Sequence, residues 1–255
     1  MFNISFKHKR LIKKTKLKHA FYSAILLGLF SINPSYSAEL SDFKATYDVD
    51  ALGLTLGQAK HQFTCQNSNC VLKSDAKPSG FAAAFFKDSS HETIHLKQTK
   101  DNLTWQSYHK LGISYKDDKA KEKHQNFVFN ADKNSVVYPE KAREWPMQPK
   151  LFDSISIAYA IQHAVINQQP IDSFTLQDGN FQDKLNLKST DKHNFVALDF
   201  ADDNIDAVKY RFTSQHVEIE LWLLPKYNYF PGKIRIVNKE EKTITLTLAE
   251  PPKFL

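Results

Sequence analysis

From Phe43 onward, apolar and polar residues alternate one for one in stretch after stretch. Phe43, Ala45, Tyr47 and Val49 are interleaved with Lys44, Thr46, Asp48 and Asp50, the period-2 pattern of a strand with one wet face. The alternation returns at Leu185 and Leu187, at Val208, Tyr210 and Phe212, and at Val217, Ile219, Leu221 and Leu223. It returns again at Ile234 and Ile236, and at Ile244, Leu246 and Leu248. Hairpin signals separate these runs: Asp178-Gly179 suits a tight primed turn, and Asp202-Asp203-Asn204 a longer loop. Connections this short predict antiparallel meanders, because parallel strands need long crossovers.

Two stretches break the period. Ser79 to Phe86 (SGFAAAFF) is alanine-rich, with Phe81 and Phe85 four apart, and reads as a short helix. From Asp153, an N-cap residue type, a run of apolar residues continues to Pro170, which ends it. Ile155, Ile157, Ala158, Tyr159, Ile161, Ala164, Val165 and Ile166 cover most of its circumference. A helix apolar nearly all round is buried on more than one side. The expected fold class is therefore mainly β, a curved antiparallel sheet holding a buried helix and not a flat sandwich. The mixed-charge run Lys116 to His124 and the proline-rich segment Tyr138 to Lys150 read as surface loops.

The start of the chain has another character. A basic stretch to His19 precedes an apolar segment, Ala20 to Ile32, and then small residues at Ser35, Ser37 and Ala38. This is the layout of a secretory signal, with cleavage near Ser37 or Ala38. Its apolar part is too short for an ordinary membrane span. The expected organisation is a signal peptide over residues 1–38 and a single β-rich domain over 39–255, located in the periplasm with no stable membrane span after cleavage. The chain carries 34 Lys and Arg against 28 Asp and Glu, a formal +6. Seven of those bases and none of the acids precede residue 39, so residues 39–255 hold 27 bases and 28 acids. A nearly neutral domain lacks the electrostatic footprint of a nucleic-acid binder.

Cys65 and Cys70 flank a four-residue turn between two strand-like runs. Such neighbours can be bridged, and an even cysteine count behind an export signal points to a structural disulfide. The alternatives, a redox pair or half a zinc site, want C-x-x-C at a helix start or a second cysteine pair.

One catalytic motif is matched literally. His91-Glu92-Thr93-Ile94-His95 has the H-E-x-x-H spacing of zinc hydrolases, which on a helix brings both imidazoles to one metal. Here Thr93 and Ile94 are β-branched and strand-like sequence follows, and in a strand the two imidazoles stand about 13 Å apart. The expectation is a polar strand face, with a zinc hydrolase using His91, Glu92 and His95 as the alternative. His61, His109, His124, His163, His193 and His216 show no ligand spacing. Asp199, Asp202, Asp203, Asn204 and Asp206 lack the calcium-loop pattern and read as a solvated hairpin tip. Gly53 and Gly57 read as a bend or turn. Trp222, Tyr227, Tyr229 and Phe230, with Pro225 and Pro231, could stack a sugar or line a lipid cavity, against a plain reading as core and loop. No catalytic residue and no cofactor is expected.

The order FKATYDVDALGLTLGQAKHQF, SGFAAAFF, FDSISIAYAIQHAV followed by LQDG, and WLLPKYNYFPGKIRI with a final strand resembles the exported bacterial proteins of domain of unknown function 3108. The resemblance runs from about Phe43 to Leu248 and rests on Gly, Asp, Trp and Pro positions. It implies a secreted β-rich protein similar to the half-open β-barrels of periplasmic lipoprotein carriers, and it carries no catalytic residues. Cys65, Cys70, His91 and His95 lie outside its pattern. The expected role is non-enzymatic: binding of an apolar or amphipathic ligand, such as an envelope lipid, or of a lipoprotein or periplasmic partner protein, in a concave sheet. An outer-membrane β-barrel is the third alternative, opposed by the apolar helix and by charge on many strands.

Overall fold

A computed structural model describes residues 38–255 apart from 52, 85–86 and 117–118. Residues 1–37, all but the last residue of the expected signal peptide 1–38, lie outside the described residues, as does Phe85. The described residues form sixteen strands in one sheet and one α-helix. The first half is a meander: β1 (Phe43–Ala51), β2 (Leu54–Gln66), β3 (Asn69–Pro78), β4 (Ser89–Thr99), β5 (Asn102–Lys116), β6 (Lys119–Asn130), β7 (Ser135–Tyr138) and β8 (Arg143–Pro146). After β9 (Leu151–Asp153) and α1 (Ser156–Ile166), the second half runs β10 (Ser173–Gln177), β11 (Gln182–Val196), β12 (Ile205–Thr213), β13 (Val217–Leu224), β14 (Phe230–Asn238) and β15 (Thr243–Leu248). The short β16 (Lys253–Phe254) pairs with β1.

The two meanders join where β1 pairs with β15, so β8 and β9 become the sheet edges. These edges are consecutive in the chain. Five residue steps from Pro146 to Leu151 reach at most roughly 18 Å, so the sheet must curl until its edges nearly meet. Among the described residues no ladder closes it. Trp105 on β5 donates from Nε1 to Asp153 Oδ2 on β9 at 3.0 Å, and Arg143 on β8 donates to the Gly179 carbonyl at 3.0 Å. Gln125 on β6 lies 2.8 Å from where a Gly179 Cβ would stand. Side chains, not backbone pairing, seal the seam. An outer-membrane barrel needs closed pairing and a lipid-facing apolar band, whereas the outward positions of β1 to β3 include Lys44, Lys60, Lys73 and Asp75.

Alternation buries Phe43, Ala45 and Tyr47 as expected, and Phe63, Leu72 and Ile94 on the neighbouring strands beside them. α1 fills the concavity, with every residue from Ser156 to Ala164 buried. Its start differs from the expectation by a turn. Asp153 ends β9, and its Oδ1 accepts the backbone N–H groups of Ile155 and Ser156, each at 2.9 Å, while Oδ2 accepts Ser156 Oγ at 2.6 Å. The carboxylate caps the helix from the preceding strand.

Five expectations need correction. The alanine-rich segment forms a 3₁₀ turn, Gly80–Ala84, with Phe81 exposed; five residues supply too few i→i+4 bonds for an α-helix. The mixed-charge run is mostly strand, since Lys119 to His124 belong to β6, where solvated side chains suit an edge. The proline-rich segment holds β8, which pairs with β7, and a 3₁₀ turn, Pro139–Lys141. β9 and β10 pair in parallel, because α1 serves as their crossover. At Asp178-Gly179 the loop spans residues 178–181, closed by Asp178 N to the Phe181 carbonyl at 2.9 Å.

Candidate functional site

Register stacks the inward side chains of β1 to β6 in cross-strand rows. Phe43, Phe63, Leu72, Ile94, Tyr108 and Phe127 form one buried row. Tyr159 of α1 packs onto it, with its ring centroid 4.9 Å from that of Phe43. Two residues along each strand, the row is Ala45, His61, Ser74, Glu92, Lys110 and Gln125; two further, it is Tyr47, Ala59, Ala76, Ser90, Gly112 and Lys123. From β2 to β5 the concave face thus passes from bulky, through polar, to the small side chains Ala59, Ala76, Ser90 and Gly112. The small row leaves room. A cavity of about 550 Å³ lies at this end, lined by Val49, Gly57, Ala76, Pro78, Ser90 and Ile244 among others. Gly57 is required where β3 crosses, because a Cβ there would meet the Lys77 carbonyl oxygen at 2.2 Å.

The polar row beneath is hydrogen-bonded within itself. Glu92, only 7% exposed, accepts Tyr108 Oη at 2.6 Å and Ser90 Oγ at 3.1 Å, and Lys110 Nζ stands 3.2 Å away. Desolvation and the adjoining Glu92 carboxylate push the Tyr108 phenol well above its ordinary range. A second group lies under α1. Tyr47 donates to the Pro231 carbonyl at 2.9 Å, and Tyr159 Oη sits 3.3 Å from Tyr47 Oη and 2.8 Å from His61 Nδ1. Burial pushes the His61 imidazole down to about 4, against an opposing pull from Asp75. Its Nε2 and Gln162 Oε1 are buried with no hydrogen-bond partner.

The H-E-x-x-H residues separate. On β4 His91 and His95 point outward while Glu92 points inward, so strand alternation divides the motif between two faces. His91 Nδ1 contacts Asp75 Oδ1 at 2.7 Å. His95 lies diagonal to His109 of β5, ring centroids 6.1 Å apart, and partial burial with His109 lowers its pKa. Among the described residues no group of three or more His, Cys, Asp and Glu side chains is placed to hold a metal ion. Cys65 and Cys70 stand opposite each other on β2 and β3 and form a disulfide with Cα atoms 4.1 Å apart.

The late aromatic residues do not form a platform. Phe230 is buried against Phe43 and Tyr159, Trp222 lies between Lys209 and Lys233, and Tyr227 meets Phe200. The Asp202 to Asp206 stretch lines a separate surface hollow with Lys226 and Tyr227. Sequence reasoning missed Ser74, Lys110, Tyr108 and Gln125. The signal was present at Ser74, Glu92 and His61, which fall on the apolar phase of otherwise clean alternations.

Comparison with known proteins corrects the family expectation. Neither a family model nor a curated protein matches the sequence, so membership of domain of unknown function 3108 is not upheld. The solved structures similar to it include a β-barrel-like protein of domain of unknown function DUF1849 from Brucella abortus, at 10% identity and a TM-score of 0.49, covering 86% of this chain and 99% of that one. A provisionally named lipoprotein from Parabacteroides distasonis is similar at 10% identity and a TM-score of 0.29, covering 84% and 96%. The physical reason for the misassignment is that Gly53, Asp153 and Pro231 sit at a turn, a cap and a bulge. Any curved sheet around a helix needs such residues.

Proposed function

We propose that this is a non-enzymatic envelope protein that takes the apolar part of an amphipathic ligand into the open end of its curved sheet. The observation that carries the reading is the cavity of about 550 Å³ above the small-residue row, with Val49, Pro78 and Ile244 on its apolar side and Ser90 on its polar side. That size falls in the range of small-molecule sites, roughly 300–1,000 Å³. Export to the periplasm as one domain after cleavage of a leader over 1–38 belongs to the same reading. The leader pattern and the Cys65–Cys70 bridge support it, since such bridges persist in oxidising compartments.

The test is mass spectrometry of small molecules retained by protein purified from its native envelope, wild type beside Ala76→Trp. The indole should fill the cavity without disturbing the buried rows. A lipid or other amphiphile retained by wild type and lost from the variant is the expected result. Empty wild-type protein that also takes up no added amphiphile overturns the reading. A periplasmic partner protein is the second reading, favoured by exposed Leu54 and Phe81, and co-purification of a protein instead of a lipid would support it.

A further inference from the structure

We infer that the ligand is an anionic amphiphile with a single acyl chain, its head held by Lys121 and Lys123 on β6; this rests on the proposed amphiphile site. The two walls of the concavity differ in chemistry. Val49, Leu246 and Ile244 share the inward face of β1 and β15, whereas β4 to β6 present Ser90, Glu92, Lys110 and Lys123 on theirs. No register shift interrupts the β5–β6 pairing. Lys121 and Lys123 therefore keep the phase of Phe127, buried in the core, and of Gln125, which reaches inward to Gly179.

Ser90, at the cavity wall, pairs with Gly112, and Gly112 with Lys123. Two strand spacings, roughly 10 Å, separate the apolar space from the ammonium row, and Gly112 leaves the path between them clear. The charge distribution points the same way. Lys110 is paired with Glu92, but Lys121 and Lys123 make no ion pair among the described residues and are exposed. Glu122, between them, faces outward with His124. The carboxylate lining the cavity is Asp88, which accepts the Tyr115 N–H at 3.2 Å and is offset by Lys77 in the same lining. The volume suits one chain, since a diacyl lipid is larger than the drug-sized ligands such cavities enclose.

Titration calorimetry of the mature chain with dodecanoate, dodecyl maltoside and dodecyltrimethylammonium, each below its micelle concentration, tests this. Dodecanoate should bind about 3- to 10-fold tighter than the neutral maltoside, the range two exposed ion pairs supply, and the cationic probe weakest. Lys121→Glu/Lys123→Glu should abolish that preference by weakening dodecanoate far more than maltoside, and Lys121→Arg/Lys123→Arg should retain it. Equal binding of all three probes, unaffected by the charge reversal, overturns the anionic assignment and leaves the amphiphile site standing. Failure of every probe to bind overturns the site itself.

Discussion

His61 is the residue whose chemistry is most changed by the fold. Its ring is buried, Nε2 has no partner, and its pKa falls to about 4. The unfolded chain protonates such a histidine near 6.5; between about 6.5 and 4 the unfolded state therefore binds a proton that the folded state refuses. The stability contribution of neutral His61 is complete above that window and is lost as pH falls through it, about 2–3 kcal/mol by pH 4.5. His163, also lowered by burial, acts in the same direction. Urea unfolding at neutral pH and at pH 4.5 should show wild type losing more stability than His61→Phe. An equal loss in both would refute the assignment. Cys65 and Cys70 permit a simpler prediction. The loop they close is six residues long, so Cys65→Ser/Cys70→Ser should lower stability by about 2 kcal/mol at most, without loss of fold by circular dichroism.

At the scale of elements, Asp153 ties the helix to two strands. One buried carboxylate caps α1 and accepts the Trp105 indole N–H from β5. Asp153→Ala should cost about 2–4 kcal/mol, from the lost cap and a stranded indole donor. Asp153→Asn and Trp105→Phe should couple by more than about 0.5 kcal/mol in a double-mutant cycle; simple additivity would place the two contacts in separate roles. Element type was legible wherever burial followed a period. The alternation at Phe43 to Val49 and the all-round apolar run at Ile155 to Ile166 each identified the right element. β6 was hidden because its outer half is solvated on both faces, so Lys119 to His124 shows charge and no alternation. β9 was hidden because three residues cannot show a period at all. The site was legible as isolated exceptions, Ser74 and Glu92, but its assembly depends on register across six strands, which no local pattern encodes.

For the whole molecule, the decisive feature is a sheet whose edges meet without pairing. Backbone ladders run from β8 through β1 and β15 to β9, and the remaining gap is bridged by Trp105 to Asp153, Arg143 to Gly179 and Lys141 to Asn180. Contacts of this kind are individually weak when exposed and can open without disturbing the ladders. The buried Trp105–Asp153 bond anchors one end of the seam, so opening should begin at the other, around Arg143 and the 178–181 loop. Arg143→Ala removes the donor to the Gly179 carbonyl while leaving both ladders intact. Hydrogen exchange should therefore accelerate in β7, β8 and the 178–181 loop of that variant and stay unchanged in β1 to β4 and β12 to β15. Uniform acceleration across all strands would show instead that the seam and the sheet unfold as one unit.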